Sequence, residues 1–227
     1  ARAPGRGMSE APGQQLVVET RAGPPGSIGA DFAARAPADG YTILLGSTSE
    51  LTQYRVVNPK IRYDPVRDFV PIGMVAIVPL VFVVHPALPA GSVGDFIRLA
   101  RTRPGQIDFG SAGVGATTHL AVEHFILLTG VKLNHVPYKG SPQATADLVA
   151  GQIQMAIPTL PSAIGFIQAE RLKALAVSSE KRVPGLPRVP TMQEAGVKGY
   201  VNVLWTGLLA PRGTPAGIVK QLHGEIA

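Results

Sequence analysis

The sequence predicts an α/β fold built as two units, and three features of the chain support this prediction. Strand-like and helix-like segments alternate through most of the 227 residues, an order typical of helices packed on parallel sheets. The 26 glycines and 21 prolines are scattered between these segments, as tight connections require. The chain passes between the units near residues 85 and 204, so we expect domain 1 at 1–84 and 205–227 and domain 2 at 85–204. In this arrangement a ligand cleft lies between the two domains.

The first unit is predicted to combine strands with helices, and its second strand runs into a small hydroxyl loop, Ser47–Ser49, that opens a helix. Residues 1–14 hold several prolines and glycines and predict a poor helix. The apolar run Met74–Val84, interrupted by Pro79, is too short to cross a bilayer as a helix and predicts a buried strand pair or one bent strand. The other expected elements are strands at Leu16–Glu19, Tyr41–Gly46, Phe69–Val75 and Tyr200–Leu209, and helices at Ile28–Arg35 and Ala216–Ala227.

The second unit is predicted to alternate strands with helices, which indicates a parallel sheet covered on both faces. Its first helix, Val93–Arg101, follows Ser92, a residue type that caps helix N-termini. The remaining expected elements are strands at Gln106–Phe109, Val131–Val136, Gln154–Ile157 and Ala174–Ser178, and helices at Gln143–Ala150, Pro161–Ala169 and Thr191–Ala195.

The stretch Gly110–Leu128 carries the clearest functional signal. A strand leads into a loop of small residues, and a helical pattern then begins at Ala116–Thr118. Such a junction directs unpaired backbone N–H groups and the positive end of a helix dipole at one point, and its three glycines let a ligand come close. The expected guest is an anion. Hydroxyl groups of Ser111, Thr117 and Thr118 can add donors. The alternative is a tight connection whose hydroxyl residue only caps the helix.

Known catalytic and cofactor motifs do not match this loop. Its glycines do not have the spacing of a dinucleotide fingerprint, and the lysine of a phosphate-binding loop is missing. Phe109 occupies the first glycine position of a nucleophile elbow, and the partners of a kinase-like Asp108–Gly110 tripeptide are absent. No acid, base and nucleophile occur with a recognisable spacing, so we expect binding without catalysis and no cofactor.

Metal and nucleic-acid binding are also disfavoured. On a helix His119 and Glu123 share a face, but His124 points about 100° away, which predicts a polar helix edge and no metal site. The net charge of +6 raises nucleic acid as a partner, yet the basic residues lack interleaved aromatic side chains. The chain contains no cysteine, so disulfides and thiol catalysis are excluded.

Five segments, in this order, closely resemble the substrate-binding receptors of tripartite tricarboxylate transporters, the Bug-type solute receptors. They are Gly23–Gly46, Tyr63–Ile72, Ser111–Phe125, His135–Gly140 and Leu208–Pro215. The resemblance covers nearly the whole chain. It implies a two-domain, type II (Venus-flytrap) periplasmic-binding fold, located in the periplasm, that delivers a small carboxylate to a membrane permease. The carboxylate would be a di- or tricarboxylate or a related organic acid.

The resemblance also implies a set of ligand contacts made through backbone and hydroxyl groups. Thr159 stands where the family often has an acidic or amide residue, so a contact selective for an ammonium group is missing. Tyr138 and Trp205 are candidates for the cleft or hinge, or else core aromatics. The other implied contacts are Ser47 and Ser49 in domain 1 and Ser111, Ala112, Gly113, Thr117, Thr118 and His119 in domain 2.

The chain departs from the family pattern at its ends. The family's first strand with its glycine-rich loop, and its C-terminal helix and strand, are expected to be missing, and residues 1–15 resemble the end of the helix after that loop. These residues do not show the layout of a signal peptide. Two further functions stay open from the residues alone: an α/β enzyme acting on a small anionic metabolite, and a receptor fragment without activity.

Overall fold

The structure is a computed structural model that describes residues 16–21 and 26–226. The described residues form two compact units. The first comprises those in Ala1–Ile77 together with Trp205–Ala227, and the second is Val78–Leu204. The poor helix predicted for residues 1–14 lies outside the described residues.

The first unit is built on a three-stranded sheet with helices beside it. Strands β1 (Leu44–Ser47), β2 (Phe69–Pro79) and β8 (Val203–Pro211) are arranged in the order β1-β8-β2, and β1 pairs with β8 antiparallel. Its helices are α1 (Ser27–Ala34), a π-helical turn (Ser49–Gln53) that runs into α2 (Tyr54–Val57), and α7 (Ala216–Gly224). Predicted α1, β1 and β8 are therefore present, with ends shifted by one to three residues.

Two predictions for the first unit are wrong. Leu16–Glu19 is not a strand, and its Val17 is 82% exposed. A strand persists when its N–H and C=O groups find a partner strand, and the described strands of this unit pair only with one another. The run Met74–Val84 does divide into the end of β2 and β3 (Val81–Val84), but Met74 and Ile77 are largely exposed. Apolar sequence alone does not ensure that a sheet face is covered.

The second unit contains a mixed five-stranded sheet that consists of β3, β4 (Asp108–Ser111), β5 (Asn134–Pro137), β6 (Met155–Ala156) and β7 (Lys173–Val177). Their order in the sheet is β5-β4-β6-β3-β7. Strand β4 is parallel to β5 and β6, whereas β3 is antiparallel to both β6 and β7. The predicted all-parallel sheet is therefore wrong for β3, because this strand follows β2 directly and enters the sheet without a helical crossover.

Four helices surround this sheet, and their start signals are visible in the sequence. The N–H of Asp95 donates to Ser92 Oγ at 3.1 Å, which confirms the predicted cap. The predicted helix Thr191–Ala195 is instead a single turn, because Pro190 precedes it and Gly196 leaves it at φ +96°. The helices are α3 (Val93–Thr102), α4 (Thr117–Thr129), α5 (Ser141–Val149) and α6 (Leu160–Gln168).

Three phenylalanines form the centre of the second unit's core. Phe82 on β3 lies 5.0 Å from Phe96 on α3 and 5.1 Å from Phe125 on α4, measured between ring centroids. All three are fully buried, and both contacts are edge-to-face, the favoured geometry for aromatic pairs. The contact between Phe82 and Phe125 packs α4 against the sheet and so positions the loop that precedes α4.

Candidate functional site

The end of β4 and the loop that follows it pack closely against neighbouring residues of the second unit. A Cβ on Gly110 would lie 2.4 Å from Ile153 Cδ1 and 3.2 Å from both Ala144 Cβ and Tyr138 Cε2. Gly113 has φ +120°, a conformation that L side chains rarely adopt, and a Cβ there would come within 3.2 Å of the Tyr138 carbonyl oxygen. The glycines predicted to let a ligand approach therefore also allow Tyr138 to pack against the loop.

Backbone amides of this loop donate to the loop's own hydroxyl groups. The Ala112 N–H donates to Thr118 Oγ1 at 2.8 Å, and the Gly113 N–H donates to Ser111 Oγ at 3.1 Å. The sequence predicted that such amides would be unpaired, and for these two that prediction is wrong. A hydroxyl that accepts an N–H bond still has its own proton to donate. Ser111 Oγ in turn donates to the Gly113 carbonyl oxygen at 3.3 Å. The loop therefore fixes the orientation of both hydroxyls, and the Ala112 amide holds Thr118 Oγ1 as a donor.

His119 is oriented in the same way. The Gly115 N–H donates to His119 Nδ1 at 3.2 Å, so the neutral ring carries its proton on Nε2. That nitrogen is 3.6 Å from Glu123 Oε1. Burial lowers the pKa of His119, and the nearby Glu123 carboxylate opposes part of this shift. His119 therefore presents an uncharged N–H donor at neutral pH.

His135 is a part of this site to which the sequence assigned no role. Its Nε2 is 2.7 Å from Ser111 Oγ. Its ring stacks on Phe109 at 4.7 Å and on His119 at 4.2 Å, between centroids. Burial lowers the pKa of His135 to about 4, and the neighbouring His119 adds to the shift. The parallel pairing of Phe109 with His135 brings the ring here, which no local sequence pattern indicates.

The stability of the chain is expected to fall as the pH drops from about 6.5 to about 4. The folded state protonates His135 only near pH 4, whereas an unfolded histidine titrates near 6.5, so the unfolded state binds the extra proton between these values. The full shift corresponds to about 3 kcal/mol, and solvent screening at the partly exposed ring reduces the expected loss to about 1–2 kcal/mol.

Urea unfolding of the wild type and of His135→Asn, measured between pH 4 and pH 8, tests this expectation. The variant should lose less free energy of unfolding than the wild type over the acidic part of the range. The comparison is made relative to pH 8, where neither state carries a charge on His135. Identical slopes in the two proteins would contradict the assignment of this loss to His135.

Thr117 and Thr159 lie on the same edge of the second unit's sheet. Thr117 is buried at the first position of α4. Thr159 follows β6, whose parallel pairing with β4 places both strand ends at one edge. Thr159 directly precedes α6, and its Oγ1 is 3.0 Å from the Oγ of Ser162 in the first turn of that helix. The structure therefore brings Ser111, Ala112 and Gly113 together with Thr118 and His119 of the first turn of α4, and it places Thr159 after the adjacent strand.

The first unit's hydroxyl loop, Ser47–Ser49, contains the buried carboxylate of Glu50, which no local sequence pattern indicates. The Ser47 N–H donates to Glu50 Oε1 at 2.5 Å, and Ser47 Oγ donates to Glu50 Oε2 at 2.7 Å. Thr48 Oγ1 accepts from the Trp205 N–H at 2.9 Å. Ser49 is buried at the first position of the π-helical turn. The loop is thus present where the sequence predicted it, but the Ser47 N–H and hydroxyl donate to the carboxylate of Glu50.

The two aromatic candidates have identifiable packing partners. Tyr138 is partly buried beside Gly110, and burial raises its pKa to about 12. Trp205 packs against the first unit's core, which includes Tyr63 and Phe69.

Within residues 16–21 and 26–226, no group of three or more potential metal ligands comes together. In the same part of the chain, no helix has both the length and the apolar character needed to cross a membrane.

Comparison with known proteins gives matches along the whole chain. The model of the tripartite tricarboxylate transporter family receptor matches residues 1–227. A UPF0065 protein from the tcbD-tcbE intergenic region of Pseudomonas sp. strain P51 is 44% identical over 227 residues, which are 100% of this chain and 67% of that protein.

Solved structures agree with the sequence matches. R. palustris Rpa4515 with adipate is 40% identical with a TM-score of 0.95, covering 100% of this chain and 76% of that one. The periplasmic binding protein BugD is 33% identical with a TM-score of 0.88, covering 99% of this chain and 75% of that one.

The two α/β units and the polar loop after β4 define a solute-binding protein of the type II periplasmic-binding class. The chain belongs to the tripartite tricarboxylate transporter receptor family. The family and its structural neighbours are substrate-binding receptors and not enzymes. This confirms the resemblance and the fold class predicted from the sequence.

Proposed function

We propose that this chain is an extracytoplasmic receptor that captures a small carboxylate, a di- or tricarboxylate or a related organic acid, for a tripartite tricarboxylate-type transporter. One observation carries the proposal: amides of the β4–α4 loop donate to Ser111 Oγ, Thr118 Oγ1 and His119 Nδ1 and so orient these three polar groups. The relative with 40% identity was solved with adipate, a carboxylate of this kind.

The chemistry of the loop suits an organic acid. Its polar groups are the Thr118 hydroxyl, a neutral imidazole N–H and the Ser111 hydroxyl, which also bonds to the Gly113 carbonyl oxygen and to His135. All three are partly or fully buried. Carboxylate oxygens accept such hydrogen bonds, and the start of α4 adds the positive end of a helix dipole. Because no cation of the described residues is bonded to this loop, the ligand would be held by directional hydrogen bonds. The site would therefore select ligands by their shape and by the positions of their hydrogen-bond acceptors.

The proposed partners follow from the function of the family. A receptor of this type works in the periplasm and hands its ligand to a membrane permease, and we extend both features to this chain. Nucleic acid is a poor alternative, because several basic side chains are paired with carboxylates. Examples are Arg98 with Asp95, Arg55 with Asp64 and Arg182 with Glu194.

Thermal unfolding with a panel of mono-, di- and tricarboxylates tests the proposal. An acid that binds only the folded state adds about 2.7 kcal/mol of stability at a concentration of 100 times its Kd. We expect a cooperative transition that moves upward with one class of acid. Ser111→Ala should reduce this shift, because the variant lacks the hydroxyl oriented by Gly113.

Ser179→Ala serves as the matched control. Ser179 is a second-unit serine whose hydroxyl donates to the Lys181 carbonyl oxygen in an exposed turn. This variant should keep the full ligand-induced shift. A cooperative transition that no acid moves would reject the carboxylate receptor, and a chain without a cooperative transition would be a fragment with no activity of its own.

A further inference from the structure

Two histidines, His119 on α4 and His135 on β5, lie in contact beside the β4–α4 loop. Their ring centroids are 4.2 Å apart, and the ring planes differ by 29°. Phe109 supports the His135 ring at 4.7 Å, because the parallel pairing of β4 with β5 places these two residues side by side. The two imidazoles therefore form a fixed pair on one face of the second unit's sheet.

Each ring is bonded to the loop through one nitrogen. His119 Nδ1 accepts from the Gly115 N–H at 3.2 Å, so a proton added to this nitrogen would displace that bond. His135 Nε2 lies 2.7 Å from Ser111 Oγ. An imidazolium donates from both of its nitrogens, and a hydroxyl oxygen can accept such a bond. A second proton therefore costs His119 a hydrogen bond, whereas His135 can take it and keep its bond to Ser111.

The charge next to the pair is negative. Glu123 Oε1 lies 3.6 Å from His119 Nε2. In residues 16–21 and 26–226, no lysine or arginine forms an ion pair with Glu123. Burial lowers the pKa of both histidines, and for His135 the neighbouring His119 adds to the shift. Without a ligand, both rings are therefore neutral at pH 7.

The other titratable groups of the neighbouring elements are directed elsewhere. Asp108 of β4 and Tyr138 after β5 lie on the opposite face of the sheet, because successive side chains of a strand alternate between its faces. His124, the neighbour of Glu123 on α4, is bonded through Nδ1 to Asn202 Nδ2 at 2.9 Å. The charged group that faces the two imidazoles is therefore Glu123.

A ligand carboxylate changes this balance. At the donors of the loop it adds a second negative charge close to Glu123, in a partly buried place where like charges repel strongly. The same charge stabilises an imidazolium beside it and so raises the pKa of the histidine pair. His135 is the ring that can accept the proton without losing a bond.

We propose that the site binds a carboxylate together with one proton, which the His119–His135 pair takes up from the solvent as the ligand enters. This uptake presupposes the proposed function, since the negative charge of the ligand drives it. Because the two rings interact, the proton belongs to the pair as a whole. A charge-assisted hydrogen bond is then added to the directional bonds from the loop, and binding strengthens as the pH falls.

Calorimetric titration with adipate at pH 6, in buffers that differ in their heat of ionisation, measures the uptake. The reference is His135→Gln, whose amide can bond to Ser111 but does not titrate. The wild type should take up at least about 0.3 proton more per bound adipate than this variant. Its affinity relative to the variant should also rise at least about twofold from pH 8 to pH 5.5. Both comparisons cancel the protons that adipate itself exchanges.

His85→Gln is the matched control. His85 is a second-unit histidine whose Nδ1 accepts from the Ala87 N–H at 3.2 Å. It follows β3, which runs antiparallel to β6, so it lies at the edge of the sheet opposite to the β4–α4 loop. This variant should show the proton uptake of the wild type.

Proton NMR of the wild type gives a test that needs no variant. The His135 ring should titrate near pH 4 in the ligand-free chain and at a higher pH with saturating adipate. Adipate binding with an unchanged His135 titration, or with equal proton uptake in the wild type and His135→Gln, would overturn the inference and leave the receptor function intact. Failure of all these proteins to bind adipate would reject the proposed function for this acid, and the proton uptake with it.

Discussion

Replacing Phe125 with alanine is expected to lower the free energy of unfolding of the second unit by about 3–5 kcal/mol. Phe125 is fully buried on α4 and meets Phe82 edge-to-face at 5.1 Å. It also lies 6.0 Å from Phe96. Removal of the ring takes away its transfer free energy and both aromatic contacts, and the surrounding sheet and helices can collapse only in part.

Leu127→Ala is the matched control for this prediction. Leu127 lies two residues further along α4, where its side chain is 80% exposed. Its replacement should change the free energy of unfolding by no more than about 0.5 kcal/mol. Urea unfolding followed by circular dichroism measures both variants. A similar, small loss in the two proteins would mean that α4 does not pack on the sheet through Phe125.

Replacing Thr118 with valine is expected to weaken carboxylate binding at least about tenfold, through loss of one oriented donor and of the loop's shape. Valine keeps the volume of threonine but cannot accept from the Ala112 N–H, which now donates to Thr118 Oγ1 at 2.8 Å. Thr118 is 4% exposed, so the amide is left with an unmet hydrogen bond in a largely buried place. This should cost about 1–3 kcal/mol of stability in addition.

Thr118→Ser separates the hydroxyl from the methyl group. The serine variant keeps an acceptor for Ala112 and should retain most of the affinity for the acid that stabilises the wild type. Calorimetric titration with that acid compares the three proteins. Equal affinity in Thr118→Val and the wild type would remove Thr118 from the proposed contacts, whatever the change in stability.

The elements of the fold that depend on local chemistry were predictable. Ser92 before an amphipathic segment predicted α3, and the small-residue loop before Thr117 predicted the start of α4. Helix capping and glycine conformations are determined within a few residues, so a local pattern is sufficient. The ordered family segments predicted the fold class, which the comparisons confirm.

Predictions that depend on distant partners were less successful. Leu16–Glu19 has the composition of a buried strand and lies exposed as coil. Strand β3 has the sequence of any buried strand, yet it runs against β6 and β7. Strand pairing and direction depend on which segments meet in space, and hydrophobicity along the chain does not carry that information.

The same division holds for the candidate site. The sequence by itself determined the hydroxyl loops around Ser47 and Ser111, because small polar residues at a strand end form such loops locally. Only the tertiary structure decided how their donors are used. The pairing of β4 with β5 brings His135 to Ser111, and the π-helical turn directs Glu50 onto Ser47. Hydrogen bonds act over about 3 Å, so their partners become known only when the folded backbone has placed them.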